Sequence, residues 1–177
     1  LMASAEYGGL ENAWAEAQNI LDHARVREAA ALASVLYYNN DISVRKTVEL
    51  LQRELKRQHL AYSDILKHTA QDGGATGDKP PALTKAPDSR VPIRKTRGPL
   101  DFGLPAGKLS EEDAAWYRSP EFTLSGNARF ELVNFIDGRR TVSEIRHAIS
   151  AEFGLVQQDV VARYLDDLVK VGVVTWK

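Results

Sequence analysis

Hydrolytic chemistry on this chain would have to come from four histidines, His23, His59, His68 and His147, and from its carboxylates. A catalytic zinc needs three or more converging ligands and an open position, and its usual sign is two helical histidines four residues apart. No such pair is present. The first three histidines fall on helical surfaces and His147 adjoins a buried row, so all four read as solvated or packed side chains. Asp166 and Asp167 are neighbours on a helix and point in different directions, as surface groups do. Ser125 is followed directly by Gly126 and makes no Gly-x-Ser-x-Gly elbow. Gly73-Gly-Ala-Thr-Gly77 and Gly107-Lys108 lack the phosphate-loop spacing and follow no strong strand. Cysteine is absent, which removes thiolate ligands and disulfides. The expectation is a chain with no catalytic, cofactor or metal-binding residue.

Binding is the remaining chemistry, and the elements that would position it are clearest after Gly126. Asn127 to Ile136 carries Phe130, Leu132, Val133 and Ile136 at helical spacing, and Asp137-Gly138 breaks the pattern. Thr141-Val-Ser-Glu144 is a capping box. The helix it starts is expected to bury Val142, Ile145, Ala148, Ile149 and Phe153 and to stop at Gly154. A third helix spans about Gln158 to Lys170, with Val161, Tyr164, Leu165 and Leu168 on one face. Gly172 ends it, and Val173 to Trp176 is a short strand. This is the order of a winged-helix module. Ser110-Glu-Glu-Asp starts a further helix leading to Trp116 and Tyr117, with acids at its positive end. Phe122-Thr-Leu124 alternates as a strand and is the expected partner of Val173 to Trp176.

Such a module could hold a peptide in the cleft between its third helix and a strand edge. Phe122, Leu124, Arg163 and Asp167 would bound that cleft. The charge argues against DNA. The third helix sets Arg163 and Lys170 against Asp159, Asp166 and Asp167, and residues 99–177 carry net −3, which repels phosphates. Arg139-Arg140 is the one basic pair there, and it sits in a turn.

Residues 10–69 read as two long helices. Trp14, Ala17, Leu21, Ala24, Ala31, Val35 and Tyr38 recur at three- and four-residue steps interrupted at Glu28, and Asn39-Asn40-Asp41 breaks the run. Asp41 or Ser43 can cap the next helix. Its stripe is Val44, Val48, Leu51, Leu55, Tyr62 and Ile65, with Gln58 the polar member. Two such helices joined by a short turn make an antiparallel hairpin whose apolar surface exceeds what each can cover on the other. A partner copy or a further domain is expected to cover the rest.

Between these parts large apolar residues thin out. Residues 79–98 hold six cations against Asp88, net +5, and include Pro80-Pro81. Residues 71–98 are expected to be a flexible basic linker lying against acidic flanks. The chain as a whole is mainly α: a helical hairpin over residues 1–70, the linker, and a small winged-helix-like α+β domain over 99–177. Pro99 to Pro105 reads as its extended lead-in, with Leu100, Phe102 and Leu104 alternating.

Composition fits a folded chain of 177 residues, with 44% hydrophobic content and net charge −1. No run of eighteen apolar residues offers a membrane span. The start, Leu1-Met-Ala-Ser, has no signal-peptide pattern and reads either as an internal position of a longer chain or as a residue left by cloning.

Three runs carry a family resemblance: Arg97-Gly-Pro-Leu-Asp-Phe102, Leu109-Ser-Glu-Glu-Asp-Ala-Ala-Trp-Tyr-Arg118, and Leu132 to Arg146 with Asp137-Gly-Arg-Arg-Thr-Val-Ser-Glu-Ile145. They resemble the non-catalytic C-terminal region of bacterial zinc aminopeptidases of metallopeptidase family 28. The hairpin is similar to the segment joining that region to the peptidase domain. The Asp137 to Ile145 pattern is also similar to small winged helices such as the peptide chaperone of pyrroloquinoline-quinone biosynthesis. The resemblance implies a parent enzyme with two zinc ions held by His, Asp and Glu residues. None of that motif is here, so no catalytic residue carries over. What it implies is an accessory region that packs on the peptidase domain of the same parent chain or self-associates through the hairpin. It also implies a bacterial source, without choosing cytoplasm, periplasm or secretion. A peptide-binding module is the alternative, and a DNA-binding winged helix the third.

Overall fold

A computed structural model describes residues 9–83, 87–101 and 103–177. Phe102, Lys85 and the Leu1-Met2 start lie outside the described residues. The chain is mainly helical with a small two-stranded antiparallel sheet. It forms two compact units, Leu1–Ala86 and Pro87–Lys177.

The first unit is the hairpin. Helix α1 spans Leu10–Ser34 and tightens into a 3₁₀ turn at Val35–Tyr37, and α2 spans Ile42–Asp72. The turn between them is organised by Asn39, whose side-chain oxygen accepts a hydrogen bond from the Asp41 backbone N–H at 3.0 Å. Asp41 occupies the position before α2, yet its side chain caps nothing. A buried cluster of Trp14, Ala70 and Ala75, with Leu10 and Leu66 against it, closes the open end.

The second unit is built around helix α5, Val142–Phe153, flanked by α4 (Gly126–Asn134) and α6 (Gln158–Lys170). A short helix α3, Glu111–Ala115, precedes them, and Ser110 caps it by accepting from the Asp113 N–H. Leu132, Val142, Ile145, Ile149, Val161, Leu165 and Leu168 are fully buried between the helices. Phe153, expected among them, is 37% exposed. It sits in the last turn of α5, beside Gly154, whose φ of +85° turns the chain away. Instead α5 buries polar residues. Arg146 donates through Nε to the Val156 carbonyl at 2.7 Å, and Ser150 Oγ accepts from the Val156 N–H at 3.1 Å. Polar groups can be buried here because the loop backbone after α5 satisfies them.

The sheet corrects the expected pairing. Strand β2, Val174–Trp176, pairs antiparallel with β1, Pro92–Arg94, with Ile93 opposite Thr175. Phe122 to Leu124 forms no strand. Residues 87–98, read as linker, therefore belong to the second unit. Pro92 starts the strand, where its missing N–H costs least. The same segment covers the start of α5: Val142 and Ser143 N–H groups donate to the Arg90 and Asp88 carbonyls. Asp88 N–H in turn donates to Ser143 Oγ at 2.7 Å.

The capping box at Thr141 is complete, since Glu144 N–H donates to Thr141 Oγ1 and Thr141 N–H donates to Glu144 Oε2 at 2.7 Å. Thr141→Ala should cost the second unit about 1 kcal/mol in urea unfolding, and Thr141→Ser should recover most of it. Equal stability of the alanine variant and wild type would contradict this reading of the helix start.

Candidate interaction site

The four residues of the expected peptide cleft do not line an open groove. Leu124 and Asp167 are 3% and 1% exposed. Phe122 belongs to an aromatic nest with Trp116, Tyr117 and Tyr164, at centroid distances of 4.9, 4.8 and 6.3 Å. Arg163 is exposed on α6 and lies over the Trp116 ring at 4.3 Å, where its guanidinium meets the negative ring face. The structure brings these residues together as packing, and the third helix is braced rather than offered.

Asp167 is the centre of that brace. Its Oδ2 accepts from the Tyr117 hydroxyl at 2.8 Å, and its Oδ1 meets Lys170 Nζ at 3.0 Å. Burial, the hydrogen bond to the carboxylate and the carboxylate's charge all push the Tyr117 phenol well above its ordinary range. The bond to Asp167 raises Lys170 as well. Adjacent Asp166 is partnered too, with Arg90 Nη1 at 2.7 Å. Arg90 also pairs with Asp88 at 2.7 Å and lies over Trp176 at 4.4 Å. Its bond to Asp88 holds that carboxyl below the usual carboxylate range. One of the linker cations is thus consumed inside the second unit. Arg140, half of the basic pair weighed for DNA, is bonded to Asp137 at 2.8 Å.

No zinc ligand set assembles among the described residues. His59 Nε2 lies 2.6 Å from Asp22 Oδ1 across the hairpin, and His147 is buried in α5. A cavity of about 30 Å³ lies between Arg94, Leu100, Arg129 and Tyr164. That is room for about one water, too little for a metabolite.

Most of the exposed large apolar residues are on the hairpin, and many of them are on α2. Its inward face reads Val48, Gln52, Leu55, His59, Ser63, Leu66 and Ala70 along the helical repeat. The middle of that face is polar. Gln18 Nε2 donates to Ser63 Oγ at 3.0 Å, Asp22 meets His59, and Gln52 Nε2 donates to the Ala29 carbonyl at 3.3 Å. Leu51, Tyr62 and Ile65 lie one flank over and are 44%, 57% and 58% exposed, while Leu50 and Leu60 are exposed away from this row. At the hairpin tip Tyr37, Tyr38 and Ile42 are exposed too. Scattered apolar residues need no explanation, but a row along one helix flank marks an interaction surface. The sequence stripe merged both rows, because periodicity alone cannot say which side of a broad stripe α1 will cover.

Comparison with family models, with curated proteins and with solved structures returned no match.

Proposed function

We propose that this chain is a non-catalytic protein-interaction region whose hairpin is the association element, of the kind that serves as an accessory region of a larger zinc-dependent peptidase. The observation that carries the reading is the row of Leu51, Tyr62 and Ile65, left in solvent while α1 covers the more polar face of α2. The peptidase parent is supported by the sequence resemblance of residues 97–146. A peptide cleft at Phe122, Leu124, Arg163 and Asp167 has weaker support, since two of its four members are buried.

Light scattering on the whole chain across a wide concentration range should give a mass above the monomer. Ile65→Lys should return it to the monomer while leaving its helical circular dichroism unchanged, because within one copy a residue this exposed contributes little packing. A strict monomer at every concentration would sink the reading.

A further inference from the structure

The row left open on α2 has a more specific pattern than exposure alone. Val44, Val48, Leu51, Leu55, Gln58, Tyr62, Ile65 and Thr69 alternate steps of four and three residues. That is the 3.5-residue period of a coiled-coil seam. Helix α1 takes only its inner edge, where Val48 is buried and Leu55 half-buried, and leaves Leu51, Gln58, Tyr62 and Ile65 outside. By the helical repeat, Ala17, Ala24, Ala31 and Val35 of α1 fall on the same side of the hairpin. Glu28 falls in that α1 row as well, and Glu54 borders the seam, its carboxylate accepting from Gln58 Nε2 at 3.1 Å, while Arg45, Lys46, Arg53, Lys56 and Lys67 project from the remainder of α2.

From this we infer that the hairpin pairs with a second copy of itself, α2 against α2, antiparallel about a two-fold axis at Gln58. The inference rests on the self-association proposed above and adds its geometry. Two features support this pairing: Gln58 fixes where the axis falls, and charge fixes the direction. The first is Gln58, which lies midway between Leu51 and Ile65. In an antiparallel pair centred there, Gln58 faces Gln58 of the second copy, and each Leu51 faces an Ile65. Leu55 and Tyr62 of the two copies then lie within about one residue of each other along the axis, and each buried amide finds a partner, as a single polar seam residue requires.

The second feature is charge. The tip half of the hairpin, residues 23–61, holds seven cations against four anions, net +3. The base half, residues 9–22 with 62–78, holds Lys67 against six anions, net −5. Antiparallel copies set the positive half against the negative half, whereas parallel copies would set like against like. Such charges are screened in salt and set direction more than affinity.

The chain has no cysteine, so single cysteines report the geometry directly. Gln58→Cys in the whole chain should convert most of the protein to a disulfide dimer under mild oxidation. Leu51→Cys or Ile65→Cys alone should stay monomeric on a denaturing gel. Each would be about 21 Å from its own copy, fourteen residues of helix rise, and a disulfide needs Cα atoms within about 7 Å. Mixing the Leu51→Cys and Ile65→Cys proteins should give the crosslinked heterodimer. Scattering dimers whose Leu51→Cys and Ile65→Cys variants each crosslink to themselves would prove a parallel pair and overturn the geometry alone. The same holds for scattering dimers with no Gln58→Cys crosslink. A strict monomer would overturn both the geometry and the association beneath it.

Discussion

Asp167→Ala should destabilise the second unit by about 3 kcal/mol. Asp167 is 1% exposed, so its carboxylate has lost its water and depends on its partners. Removing it leaves the Tyr117 hydroxyl without its acceptor and opens a small void under the aromatic nest. A hydrogen bond to a charged group contributes about 1.5–3 kcal/mol, and the void adds to that. The lysine side limits the loss. Lys170 is 53% exposed and can turn into water, so no buried cation is stranded. Asp167→Asn keeps the shape and an acceptor for Tyr117, and should cost roughly half as much. Lys170→Ala should cost less again. In a unit of this size 3 kcal/mol corresponds to a fall of more than about 10 °C in melting temperature. An Asp167→Ala melt within 2 °C of wild type, on the order of the scatter of such scans, would refute the brace.

Asp167 also shows where sequence reasoning stops. Beside Asp166 on a helix it has the look of a solvated pair, and nothing local separates the two. The difference comes from Tyr117, fifty residues earlier, which the fold places over one carboxylate and not the other. Strand β1 was hidden for the same reason. Val91-Pro-Ile-Arg94 has the branched residues of a strand, but its partner lies at Val174–Trp176, and the prolines and cations around it resemble a linker. Local signals were readable. The Thr141–Glu144 capping box, the glycine stop at 154 and the face of α6 needed only their own neighbours. The hairpin lay between these cases. Its two helices and their turn follow from periodicity, and so does the surplus of apolar surface. That α1 would choose the face with Gln52, His59 and Ser63 depends on partners Ala29, Asp22 and Gln18 in another helix.

Alkaline pH should weaken the second unit, and Tyr164 should account for about 2 kcal/mol of the loss by pH 12. Tyr164 is 3% exposed, and burial disfavours its phenolate, raising the phenol from 10.0 to about 12. The unfolded chain therefore sheds this proton first as pH rises. Below about pH 10 both states are protonated and the contribution is complete. Between about pH 10 and 12 the unfolded state alone ionises, so stability falls by about 1.4 kcal/mol per pH unit. Above about pH 12 the folded phenol titrates as well, and this part of the decline ends. Tyr117 adds a loss of the same sign that continues further, because its phenol is raised beyond that of Tyr164. Other groups titrate in this range, and a variant isolates the tyrosine. Tyr164→Phe removes the ionisable oxygen and keeps the ring against Tyr117 and Phe122. Urea unfolding of both proteins at pH 9 and pH 12 gives the comparison. The phenylalanine variant should gain about 2 kcal/mol on wild type between the two conditions. A constant difference between the two proteins would mean that Tyr164 ionises as readily folded as unfolded, and that its hydroxyl has not left water.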